Sequence, residues 1–191
     1  MTNTYHIIIK ALPHFRIFRC KSDKYAYLRN LYILSKKYEA TVLAFAVMDT
    51  HIHLLIRTGT SSKAKKLSVL IGIISSRYAK IFNKKYGHKG SIFEHSFIKF
   101  PKQYEVWQID TIFYILNNPL EANMCKRHNQ YPFTSYKLHI GAKTSLSTII
   151  KIDNSLIEKH FADVDDFKKV LKEKLQYQRD VAHIKYRQSI E

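Results

Sequence analysis

Acidic side chains are scarce: 15 Asp and Glu stand against 32 Lys and Arg in 191 residues, a formal charge of +17. That imbalance is foreign to an ordinary metabolic enzyme and points to a polyanionic partner, nucleic acid ahead of anionic membrane. Glycine (5) and proline (4) are few while aromatic residues make up 13% of the chain, which argues against a disordered or linker-rich protein. There are two cysteines, Cys20 and Cys125, neither with a partner at a metal-binding or redox spacing, so reduced structural thiols are expected. No apolar run is long enough to span a bilayer, and Met1-Thr2-Asn3-Thr4 lacks the layout of a signal peptide. A cytoplasmic protein with no membrane partner is expected, built on one core with room for a helical appendage.

Within that frame, hydrophobic periodicity assigns the elements. Tyr5 to Ala11 is short and β-branched ahead of Pro13 and reads as a strand. Tyr25, Leu28, Leu31, Tyr32 and Ser35 recur at helical spacing from Ser22 through Tyr38, with Ser22 and Asp23 available as caps. Thr41–Met48 and His51–Thr58 are two β-favouring runs separated by Asp49-Thr50, a spacing for adjacent antiparallel strands. Lys63 to Tyr86 is a long basic helix stopped by Gly87. Ser91 to Phe100 favours strand, and Gln103 to Asn118 favours helix until Pro119 ends or kinks it. The order predicts an α+β sandwich, an antiparallel sheet with helices on one face. No periodic signal organises Tyr131 to Tyr136, and from Ser155 onward Phe161, Val164, Phe167, Val170, Leu171 and Leu175 fit one or two amphipathic helices.

Chemistry concentrates in two places. Because strand side chains alternate, His51 and His53 project together while Ile52, Leu54 and Ile56 project oppositely, so both imidazoles can reach one ion. The pair suits a divalent metal with an added oxygen ligand, although taken alone it reads first as a bland surface or core pair. On the helix of residues 103–118, Val106, Ile109, Ile112, Phe113, Ile115 and Leu116 cover one broad side. Tyr114 falls opposite, with Gln103, Asp110, Asn117 and Asn118, and Asn118 lies one turn from it. A phenol is a weak nucleophile unless a metal polarises its target; the alternative is a surface tyrosine that hydrogen-bonds water. Arg77, Lys80, Lys84, Lys85, His88 and Lys89 alternate with Tyr78, Phe82, Tyr86 and Phe93. They offer cations to a phosphate backbone and rings to unpaired bases, against the alternative of a solvated face over core rings.

Three segments together resemble the single-tyrosine HUH transposases of the IS200-like superfamily, and more closely their REP-associated tyrosine transposase branch. They are His51-Ile52-His53, the glycine-punctuated Phe82-Asn83-Lys84-Lys85-Tyr86-Gly87-His88-Lys89-Gly90-Ser91-Ile92-Phe93, and Tyr114-Ile115-Leu116-Asn117-Asn118-Pro119. Tyr131 to Tyr136 is also similar to an aromatic-Ser-Tyr stretch of that branch. The resemblance implies a ferredoxin-like fold over residues 1–140, with 141–191 a helical C-terminal extension. It implies a bacterial, nucleoid-associated enzyme that nicks and transfers single-stranded DNA at hairpin-associated sites. His51, His53 and Asn118 would hold Mg²⁺ or Mn²⁺, and Tyr114 would form a 5′-phosphotyrosine link. Arg77, Lys80, Lys84, Lys85, Tyr86, His88 and Lys89 would contact the DNA. Whether the tyrosine serves its own chain or a partner in a homodimer is left open. Asp49-Thr50 departs from the Pro-Asn frequent in the family, and Leu116 stands where a histidine is common. Two other readings compete: a non-catalytic binder of structured nucleic acid descended from such a transposase, and a metal-dependent hydrolase in which Asp49 joins the histidines and Tyr114 is a bystander.

Overall fold

A computed structural model describes residues 3–59, 66–94 and 97–188. Four strands, β1 (Asn3–Lys10), β2 (Ala40–Val47), β3 (His51–Thr58) and β4 (Ile98–Pro101), form one antiparallel sheet in the order β2-β3-β1-β4. With α1 (Lys21–Lys37) between β1 and β2, and α2 (Lys66–Tyr86) between β3 and β4, this is the ferredoxin-like arrangement that the sequence led us to expect. The helix α3 (Glu105–Glu121) follows, then the short α4 (Tyr136–His139) and α5 (Ser155–His160), and finally α6 (Val164–Gln188).

The pleat divides the sheet chemically. Ile7 and Ile9 of β1 lie across from Leu54 and Ile52 of β3, and all four are buried on one face, each worth about 1.5–3 kcal/mol of burial. Helices α1 and α2 share that face: Tyr27, Leu28, Leu31 and Leu34 of α1 are buried, as are Leu70, Ile74, Tyr78 and Phe82 of α2. Tyr78 ties the two layers together, its ring 4.9 Å from Phe18 and 5.6 Å from Tyr27 and its hydroxyl donating to the Ile17 carbonyl. The opposite face carries His6, His53 and Leu55, and α3 packs there against β2 and β3. The expectation of helices on one face therefore holds for the two crossover helices, while α3 covers the other.

Local chemistry explains the boundaries. Asp23 stands on the first turn of α1 and accepts from the backbone N–H groups of Arg19 (2.9 Å) and Cys20 (3.1 Å), donors that the helix itself leaves unpaired. Gly87 ends α2 in the left-handed region (φ 63°), as its position predicts. The strand expected over Ser91–Phe100 is shorter: Phe93 makes one bridge to Ala11, residues 95 and 96 lie outside the described residues, and regular pairing begins at Ile98. The helix expected from Lys63 is described from Lys66.

Pro119 does not end α3, which continues to Glu121. A proline in a helix removes one N–H donor and crowds the carbonyl four residues back, yet the last turn is still closed by Ala122 donating to Asn118 (2.9 Å) and Met124 to Pro119 (2.8 Å). The segment without periodic signal lies along the outer edge of β2, with Val47 N–H donating to Phe133 (2.9 Å) and Ser135 N–H to Phe45 (3.0 Å). It covers an edge that would otherwise present unpaired backbone groups. Beyond residue 140 the chain shares the same core: Leu146, Ile150, Leu156, Phe167 and Leu171 are buried with the sheet residues. Phe167 of α6 stacks on Phe113 of α3 at 5.7 Å. Among the described residues no helix is long and apolar enough to cross a membrane.

Candidate active site

His51 opens β3 at the centre of the sheet, and His53 follows on the same face. His53 pairs in register with Ile8, so His6, two residues back on β1, lies diagonally across from it on that face. The two rings stack at 5.3 Å, with His6 Nε2 and His53 Nδ1 3.1 Å apart. Burial, helped by the nearby Lys102 ammonium, pushes His6 down to about 4. Burial and the neighbouring His51 and His6 push His53 down to about 3, against an opposing hydrogen bond from Asn118. Burial also lowers His51, again opposed by Asn118. All three imidazoles are therefore neutral at pH 7, the form that ligates metal. His51 and His53 stand perpendicular with centroids 5.0 Å apart, and His51 Nδ1 lies 3.1 Å from Thr50 Oγ1. With each Nδ1 engaged, Nε2 is the nitrogen by which each ring can meet Asn118 or a ligand.

The helix α3 brings the phenol to this pair. Tyr114 is 42% exposed, and its ring meets His53 edge-on at 5.5 Å and His6 at 5.7 Å. Asn118, one turn on, donates its Nδ2–H to the Tyr114 carbonyl (3.1 Å) and lies close enough to His51 and His53 to oppose the lowering that burial imposes on both. That placement depends on α3 running through Pro119, since an earlier end would release Asn118 from the helix. The tyrosine and the histidines that meet belong to one chain. Asn117, expected beside them, is instead fully buried and turned to His128 (2.7 Å) and Gln178 (3.0 Å). Val106, expected on the apolar side, is 60% exposed.

Two neutral imidazole nitrogens and an amide oxygen, drawn together beside an ionisable phenol, fit a divalent cation that keeps positions open for substrate. Hydrogen bonds on the far nitrogens orient such ligands and set their tautomer, the part that His6 and Thr50 take here. Among the described residues no three His, Cys, Asp or Glu side chains gather in a metal-binding cluster. Asp49 does not join the histidines. Its carboxylate is held by Arg16 and by Lys24 Nζ (2.7 Å), and these cations and their hydrogen bonds keep it below the usual range in spite of burial. His6 escaped notice in the sequence because alternation puts it opposite Ile7, while only the strand register carries it to His53.

The basic loop is divided by the structure. Arg77, Lys80, Lys84 and Lys89 are exposed, whereas Tyr78 and Phe82 are core residues and offer no face to a base. Lys85 Nζ (2.6 Å) and the Tyr86 hydroxyl (2.7 Å) are both bound to the buried Asp23 carboxylate. His88 sits 3.1 Å from the Asn83 amide and edge-on to Phe15 at 5.0 Å. None of these residues stands at the histidine pair: α2 lies on the other face of the sheet. The exposed rings near Tyr114 are ones the sequence did not flag, namely Phe100, Tyr104 and Trp107.

Comparison with known proteins agrees with the geometry. The family model described as "Transposase IS200 like" matches residues 1–118, a span that ends on Asn118. Among solved structures, the chain is similar to a REP-associated tyrosine transposase bound to a REP hairpin. The TM-score is 0.54 and the identity 16%, covering 73% of this chain and 79% of the other, so the likeness is one of fold. No curated protein matches the sequence.

Proposed function

The chain belongs to the IS200-like transposase family, and on that premise we propose that it cuts and rejoins single-stranded DNA through a tyrosine-linked intermediate, with Tyr114 as nucleophile and His51, His53 and Asn118 as holders of Mg²⁺ or Mn²⁺. The observation that carries this reading is the meeting of Tyr114 with His53 at 5.5 Å while Asn118, bonded to the Tyr114 carbonyl on the same helix, lies beside both histidines. A bound cation would polarise the scissile phosphate and offset the charge that develops on it. The chain's own part is positional. His6 and Thr50 hold the imidazoles in a single orientation, α3 keeps Asn118 and Tyr114 one turn apart, and the exposure of Tyr114 leaves it open to a strand arriving from solvent.

In the forward step the Tyr114 oxygen bonds to phosphorus and the bond to the 3′-oxygen breaks. The phenolic proton ends on that oxygen, leaving a 5′-phosphotyrosine and a free 3′-hydroxyl. Attack by a second 3′-hydroxyl reverses the step and rejoins strands, with no nucleotide cofactor. Hairpin-bearing DNA is the proposed substrate, supported by the fold neighbour's bound hairpin and by the charge of +17. Arg77, Lys80, Lys84 and Lys89 are proposed to contact the phosphate backbone of duplex remote from the cut, since their helix lies on the other side of the sheet; His88 lies beside them, and Lys85 and Tyr86 reach DNA only around their bonds to Asp23.

Incubation of the protein with a labelled hairpin-bearing single strand and Mn²⁺ tests the reading. It predicts a covalent adduct that resists denaturation, that is abolished by chelator and by Tyr114→Phe, and that falls at least a hundredfold with His51→Ala or His53→Ala. An adduct that persists in Tyr114→Phe would overturn the nucleophile. Strong salt-dependent binding with no adduct would leave the non-catalytic binder standing instead.

A further inference from the structure

A cleft of about 470 Å³ opens beside Tyr114 where α3 leaves the sheet uncovered. Its floor is His6 of β1 and Phe100 of β4, and its wall is Trp107, Thr111 and Tyr114, three residues on one face of α3. Lys102 stands at its rim with a cation close enough to depress His6. Phe100 is 45% exposed, Trp107 47%, and Tyr104, at 4.6 Å from the Trp107 ring, 59%. A soluble domain gains nothing by leaving large rings together in water, and clustered exposure of this kind marks a binding surface. The bulk of the core aromatics are buried, so these rings are not spare packing material.

We propose that this cleft seats one unpaired nucleobase of the strand that Tyr114 cuts, with Phe100 and Trp107 providing the apolar faces and Lys102 meeting the adjoining phosphate. The inference rests on the single-strand cleavage proposed above. Every base has a π-face and every linkage a negative charge, so aromatic walls with a lysine at the rim suit any single strand. The volume is ample for one base, and the shared lining by His6 and Tyr114 puts the seated nucleotide next to the reacting phosphate. Asp110 is neutralised by Lys174 (2.7 Å) and sets no charge against the strand.

Trp107 is the only tryptophan in the chain, so its fluorescence reports the cleft directly. The full-length protein is titrated with dT12, dA12 and an abasic 12-mer that keeps the phosphates and lacks bases, each also carrying a remote dye for anisotropy. The base-bearing strands are expected to quench Trp107 on binding and the abasic strand to bind without quenching. Phe100→Ala and Trp107→Ala should each weaken dT12 by roughly tenfold, the scale of one lost base–aromatic stack, and leave the abasic strand unchanged. Equal quenching by the abasic strand, unchanged emission when dT12 is bound, or quenching by protein concentration alone would overturn the proposal, the last by making the cleft a contact between copies. Failure here is separable from failure of the cleavage reading. Adducts on Tyr114 without base-dependent quenching sink only the cleft, and base-dependent quenching without adducts sinks only the chemistry.

Discussion

Replacing His6 tests how the site is held together. His6→Ala deletes the ring that stacks on His53 at 5.3 Å and the hydrogen bond of 3.1 Å to its Nδ1. Stranding a buried polar atom costs about 1–3 kcal/mol, and because the neighbouring cleft admits water the lower end applies, about 1 kcal/mol. That is a small loss of fold. If His53 holds the proposed cation, the larger effect falls there, because an imidazole free to rotate or change tautomer no longer presents Nε2. Removing the partner of a ligating histidine typically weakens metal binding by about 10–100-fold. The assay is adduct formation on a single-stranded oligonucleotide across a Mn²⁺ series, with the thermal stabilisation conferred by Mn²⁺ as a readout independent of turnover. His6→Ala should move both midpoints to higher Mn²⁺ by that factor while the rate at saturating metal falls much less. His6→Gln, whose amide can restore the hydrogen bond but not the ring, should lie between it and the native protein. A His6→Ala protein that folds and keeps both native midpoints would refute the idea that His6 orients His53.

Two further expectations concern stability. His139 is buried between Ser135 Oγ (3.2 Å) and Asn154 Oδ1 (2.6 Å), and burial pushes it down to about 4 from 6.5. The unfolded chain takes a proton there near 6.5 and the folded one only near 4, so stability is full above 6.5 and is lost as pH falls from 6.5 towards 4. Urea unfolding between pH 7 and 4.5 should show this loss, flatter in His139→Gln by up to about 1.4 kcal/mol per pH unit, and equal slopes in the two proteins would count against it. Asp23 caps α1 and binds Lys85 and Tyr86 of α2. Asp23→Ala should cost roughly 2 kcal/mol in the same measurement, most of it cap and buried hydrogen bonds, since Lys85 can return to water; a loss of under about 0.5 kcal/mol would make the cluster no stronger than a surface ion pair.

Much of this molecule is legible in one dimension because period and punctuation are local properties. The β-branched Tyr5 to Ala11 run and the two runs either side of Asp49-Thr50 became the strands expected, within two residues at each end, and the long basic helix ends where Gly87 predicted. Errors came where a tertiary partner outweighed the local signal. Pro119 was expected to end or kink α3, and the capping bonds from Ala122 and Met124 carry the helix on to Glu121. Asn117 has a polar side chain on what reads as the exposed side, yet it is buried because His128 and Gln178 supply its hydrogen bonds. Tyr78 and Phe82 looked able to meet bases until Tyr27 of α1 was laid against the first and Phe15 against the second.

The sequence by itself determined the chemical inventory: a cationic chain, two histidines on one strand face, and a tyrosine followed one turn later by an asparagine. Alternation at two residues and helical advance at 3.6 are set by the backbone and require no partner. Only the tertiary structure brings these residues together within the chain, stands His6 behind His53, and opens an aromatic cleft beside Tyr114. The reason is that register across β1 and β3, and the face on which α3 lands, follow from the packing of segments as much as a hundred residues apart. No periodicity within one segment encodes that choice.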